Sequence, residues 1–215
     1  MTSQEIITNF ELQVSDMTEL SSAEELYILN RVYNKVMTSR PWEISKTSSS
    51  GTMSGSGVDS MYITLPSDFA YFSPNANVTN NTYEYQGNAA PVVIFIGSGS
   101  SRTAYQVINY SDRIQYLGKT GYAYLDLANS KIMFTGTPVS STYLFDYIKY
   151  PTALTLGTSP VIPSAYHDIF VYGMACEDSV LQLSPKATSY LPENTVKYES
   201  MMLDIAYWNS QLLLN

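Results

Sequence analysis

A single cysteine, Cys176, in 215 residues leaves no internal disulfide and no cysteine ligand set. Histidine is as scarce: His167 stands alone. A Ser-His-Asp site would have to use it, yet Asp168 beside it points to another helix face, and no Gly-x-Ser-x-Gly elbow accompanies it. His167 is expected at a surface or interface, in the first turn of a helix. Charged residues make up only 14% of the chain, against about a quarter in an ordinary soluble domain. The eleven Lys and Arg are scattered singly, so the basic patch of a nucleic-acid reader is missing. The formal net charge of -8 repels phosphates and anionic membranes alike. No stretch approaches the roughly 18 apolar residues of a membrane span. The opening Met1-Thr2-Ser3-Gln4-Glu5 lacks the basic and apolar regions of a signal peptide. Gly97-Ser98-Gly99-Ser100 follows an apolar run but lacks the lysine of a phosphate loop. These absences predict a protein of a reducing cytosol with no membrane partner, no metal, no cofactor and no catalytic residues.

What is abundant is tyrosine, with 19 copies, beside Ser, Thr and Asn. Such side chains tolerate both water and a protein neighbour. Low charge with many tyrosines suggests a surface that is covered in the working state.

The chain reads as three stretches. In residues 1–42, Ile6, Ile7 and Phe10 recur at helical spacing within Ser3–Leu12. Ser22-Ala23-Glu24-Glu25 is read as a capping box that opens a second helix, whose stripe is Leu26, Leu29, Tyr33 and Val36. In residues 43–157 short alternating runs are separated by Gly, Asn, Asp and Ser, as in an antiparallel sheet or small barrel. The expected strands are 61–66, 91–96, 104–110, 113–117, 122–127, 131–135 and 142–149. The Ser/Gly tract 46–60 is expected to be a flexible loop. Residues 158–215 return to helix: Ser164 is the expected N-cap of one, and about 194–213 form the last. The fold class is therefore α+β, with a helical domain built from 1–45 and 158–215 and an inserted antiparallel β domain over 46–157.

Two features remain. Arg40-Pro41-Trp42 ends the second helix, since a residue before proline is pushed out of the helical region. Trp42 is read as a wedge at the domain junction, with Pro41 setting the exit angle. The last helix has apolar residues on nearly two faces: Tyr198, Met202, Ile205, Trp208 and Leu212 on one, with Met201, Leu203, Ala206, Tyr207 and Leu213 beside them. A helix at the surface of a monomer needs one such face. Either the helix is buried in the protomer's centre or its second face belongs to a neighbour. The neighbour is the expectation for a chain-terminal helix, which places Tyr198, Met201, Met202, Ile205, Tyr207, Trp208, Leu212 and Leu213 at an inter-subunit interface.

The passage "LNRVYNKVMTSRPWEI", a Ser/Thr-rich stretch and "YITLPSDFAYF" together resemble the head-to-tail adaptor (connector) proteins of tailed bacteriophages, especially short-tailed ones. There a Leu-Asn-x-x-Tyr helix runs into Arg-Pro-Trp, and a strand ends Leu-Pro-x-Asp-Phe, here Leu65, Pro66, Asp68 and Phe69. "YIKYP" with Leu154, and "IPSAYHDIFVYGMA", are similar to the family as well. The resemblance implies a structural virion protein of the neck, assembled in the host cytoplasm and without enzymatic activity. It implies a ring, typically of twelve copies, that binds portal protein above and tail or neck proteins below while duplex DNA passes through. Another neck or tail-tube ring, a gatekeeper or stopper, is the alternative. The tract 46–60 and the Asn-rich stretch 75–88 depart from the family pattern.

Overall fold

The computed structural model describes residues 1–14, 20–40, 42–73, 93–181 and 191–212. Pro41, Leu213 and the stretch 75–88 lie outside the described residues. The chain divides into two units, Met1–Ser45 with Tyr150–Asn215 and Lys46–Lys149. Helices at both chain ends and a sheet between them make the fold α+β.

The first unit holds α1 (Ser3–Gln13), α2 (Ser22–Thr38), α4 (Asp168–Leu181) and α5 (Leu191–Leu212). Both N-terminal helices start with a reciprocal cap. In α1 the Glu5 amide donates to Thr2 Oγ1 at 3.3 Å and the Thr2 amide to Glu5 Oε2 at 2.8 Å. In α2 the pair is Ser21 and Glu24, not Ser22 and Glu25. Two overlapping Ser-x-x-Glu pairs satisfy the same spacing, and burial of Glu25 decides between them. α4 packs against α1, α2 and α5. Ile6, Ile7, Phe10, Ile28, Leu29, Val32, Val36, Ile169, Phe170 and Met174 close the core among them. Segment 150–157, read from sequence as the end of the β domain, packs here: Leu154 is buried in this core. Ser164 does not cap α4. It opens a 3₁₀ turn, Ser164–Tyr166, before the helix starts at Asp168.

Among the described residues the second unit is an eight-stranded sheet: β1 (Lys46–Thr52), β2 (Tyr62–Thr64), β3 (Phe69–Phe72), β4 (Val93–Ile96), β5 (Thr103–Ile108), β6 (Tyr122–Asp126), β7 (Lys131–Phe134) and β8 (Thr142–Lys149). The order is β1-β8-β4-β5-β6-β7-β2, with β3 also on β8. A bridge between Ser54 and Tyr62 joins the two ends of that path. Pairing is antiparallel except between β5 and β6, where residues 109–121 carry the chain back across so that both strands run the same way. Its core is Ile63, Ile94, Ile96, Tyr105, Ile132, Phe134 and Phe145.

Two expectations are corrected here. Lys46–Thr52, expected as the start of a flexible loop, is a strand in continuous register with β8, from Lys46 opposite Ile148 to Thr52 opposite Thr142. Backbone N–H and C=O groups make that ladder whatever the side chains are, and β8 supplies Tyr143, Phe145 and Tyr147. Arg113–Leu117, expected as a strand, is a short helix, α3 (Arg113–Tyr116). Arg113 folds back: its guanidinium lies 3.8 Å from the Tyr110 ring centre and Nη1 donates to the Tyr110 carbonyl at 2.8 Å.

The Leu-Pro-x-Asp-Phe residues brace this sheet. Asp68 accepts the Tyr147 hydroxyl at 2.8 Å, and Phe69 stacks on the same ring at 5.7 Å. Desolvation first, and then the Asp68 carboxylate, push the Tyr147 phenol up to about 12.

Candidate docking surfaces of the helical unit

α5 has Pro192 in its first turn, where the missing N–H costs nothing, and a Glu193–Lys197 pair at 2.6 Å one turn on. Its inner face is fixed by polar and apolar contacts together. Asn194 is buried and accepts from Gln13, Ile205 is fully buried, and the Asn209 side-chain oxygen accepts the Glu43 amide at 2.8 Å. Tyr198, Met201, Met202, Ala206 and Trp208 pack half-buried against the same core, with Trp208 5.9 Å from the Tyr166 ring.

The residues expected at an interface therefore separate. Tyr198, Met201, Met202, Ile205 and Trp208 face their own chain. Tyr207 and Leu212 are exposed, and Leu213 lies outside the described residues. A second stripe emerges on the outer face: Val196, Leu203 and Tyr207 are 66%, 63% and 71% exposed. Spacings of seven and four put them on one line of the helix. Sequence reasoning had Leu203 and Tyr207 off the main stripe but missed Val196, although the three share a 3.6-residue period with Ser200 and Ser210 in the gaps.

A groove of about 420 Å³ runs between α2 and the segment after β8. Tyr27, Arg31, Tyr33 and Asn34 form one wall, Tyr150 and Pro151 the other. Asn30 staples the walls together: Nδ2 donates to the Leu154 carbonyl at 2.9 Å, and Oδ1 accepts the Leu154 amide at 2.6 Å. Nothing in the sequence pattern brings these two segments into register, so the groove was invisible there.

Trp42 is fully buried in the helical core, and its indole N–H donates to the Val36 carbonyl at 2.6 Å. It thereby joins the Ser39 amide and hydroxyl on the same carbonyl, in the last turn of α2. Arg40 is exposed, and its carbonyl accepts the Trp42 amide at 2.9 Å.

His167 is not at the surface. It is buried, with Nε2 2.8 Å from the Ile162 carbonyl and Nδ1 2.8 Å from the Met1 amino nitrogen. Burial, with the Met1 charge adding to it, pushes the imidazole below its ordinary value. Cys176 is half-buried beside Thr195, and burial raises its thiol. Among the described residues no three His, Cys, Asp or Glu side chains are placed to share a metal ion. Among them, too, no helix is long and apolar enough to cross a membrane.

Residues 1–195 match the family model described as SU10 adaptor protein. The match takes in both units and the groove, and ends one residue before Val196. No curated protein matches the chain.

Proposed function

The chain belongs to the SU10 adaptor protein family, and from that premise we propose that it forms a ring of identical copies, twelve in number, beneath the portal of a tailed bacteriophage. The ring joins head to tail in the virion neck, with portal protein above and tail or neck proteins below. Its role is structural, and it catalyses no reaction. The observation that carries this reading is the family match over both units of the fold. The outward stripe of α5 supports it, because three large apolar side chains on one line are a poor surface for a chain that stays alone.

Duplex DNA passes through the lumen without sequence recognition. A net charge of -8 per copy suits that task. Like-charged walls let a polyanion slide, whereas a basic lumen would hold it.

Cryo-imaging of the particle neck, with the chain located by antibody or tag, tests the reading. A ring of this protein between portal and tail is expected. Finding it in the capsid shell, or absent from the particle, would overturn the proposal.

A further inference from the structure

We propose that neighbouring copies join head to tail, the outward stripe of α5 in one copy seating on the tyrosine-lined groove beside α2 of the next. The inference rests on the ring reading above. A closed ring of more than two identical copies needs a heterologous contact, that is, two different patches on each subunit. The helical unit presents two such patches on different helices, and their chemistry is complementary.

The groove carries aromatic surface and positive charge. Tyr27 and Tyr150 are both exposed at its rim. Arg31 and Lys35 converge on one carboxylate, Glu177, with Arg31 Nε 2.8 Å from Oε2. Both cations are about half-exposed whereas Glu177 is buried, so positive charge faces water beside the groove. It matters because this unit is otherwise acidic. Among its described residues the Lys and Arg are Arg31, Lys35, Arg40 and Lys197, and Lys197 is neutralised by Glu193. The Asn30–Leu154 bonds hold both walls in place before anything docks, so little ordering entropy is lost on contact.

The stripe carries the opposite charge. At 100° per residue Glu199 falls on one flank of Val196, Leu203 and Tyr207, and Asp204 on the other. Both carboxylates are exposed. Apolar side chains between two acids thus meet aromatic side chains beside half-exposed cations, with Tyr and Arg, residues favoured at interface centres, on the receiving side. The alternative of stripe against stripe brings Glu199 and Asp204 of two copies together. It also closes as a dimer and leaves the groove empty.

Cysteine cross-linking tests the pairing at two exposed positions, Tyr27→Cys in the groove and Leu203→Cys on the stripe. Full-length chains are assembled as rings and oxidised with a copper catalyst, with the wild-type chain and its half-buried Cys176 as background. Mixing the two variants is expected to give a cross-linked dimer at least ten times above background, and neither variant alone should give one. A chain bearing both cysteines should give a ladder of higher species. Cross-linking of Leu203→Cys with itself would overturn the head-to-tail arrangement. Rings that form normally but show no mixed cross-link would overturn it too, leaving the ring reading intact. A wild-type chain that assembles under no condition would overturn both.

Discussion

Gly173 of α4 and Val32 of α2 are so close that a carbon added to the glycine would overlap the valine Cγ1. From the other side Tyr198 Cε2 of α5 would lie 3.0 Å from that carbon. Gly173 is therefore the point at which α2 and α5 both press on α4. A glycine inside a helix costs about 1 kcal/mol relative to alanine, and the close approach of two helices offsets that cost.

Gly173→Ala should accordingly destabilise the protein by about 1–3 kcal/mol, even though alanine is the better helix former. Urea unfolding measures it. Adding Val32→Ala should recover part of the loss by making room, and strictly additive losses would show that the two side chains do not compete for this space.

Glu177 is buried, and Arg31 and Lys35 reach it from α2 to match its charge. Replacing both cations with methionine strands a carboxylate in the helical core and should cost about 3–5 kcal/mol. Glu177→Gln added to that pair should restore most of the stability, because the group that lost its cations is then uncharged. Chemical denaturation at neutral pH distinguishes this from a general packing defect, which the third change would not repair.

His167 sets a pH dependence whose sign follows from its environment. Its folded value is depressed, chiefly by burial, so the folded chain holds the ring neutral. The unfolded chain takes up a proton below about 6.5. Stability from this group is complete above that pH and declines as the pH falls from there toward the lowered folded value. Thermal unfolding between pH 5 and 8 should show the decline in the wild type and a shallower one in His167→Gln.

Asp59 ties three loops of the β unit together. It holds a left-handed backbone (φ 56°), and its carboxylate accepts the Gly118 amide at 2.9 Å and the Gly136 amide at 2.6 Å. Asp59→Ala should cost about 1–3 kcal/mol and speed hydrogen exchange at Gly118 and Gly136. Asp59→Asn, which tolerates the left-handed region and keeps one acceptor oxygen, should lose less. Equal exchange in all three proteins would mean that the loops are held by other contacts.

The parts of this molecule legible in its sequence are those fixed within a few residues along the chain. Ser-x-x-Glu spacing marks where α2 begins, shifted by one residue because two pairs overlap. Alternation marks β6, β7 and β8, and helical periodicity shows that α5 has more apolar surface than one core needs. Motif order across the chain revealed the family. Two of the misreadings, β1 and His167, share one physical cause, a partner distant along the chain. β1 looks disordered by composition, yet Thr47 pairs with Tyr147, a partner that local propensity does not register. Arg113–Tyr116 alternates like a strand, but contacts with Tyr110 curl it. His167 reads as a surface residue until Met1 and Ile162 close over it. The groove exists only because Asn30 meets Leu154, residues far apart along the chain. Periodicity fixes which residues of a helix share a face. Which face is taken by the chain's own core depends on segments brought together by folding, so only the tertiary structure showed that Ile205 is enclosed while Val196, Leu203 and Tyr207 are left facing water.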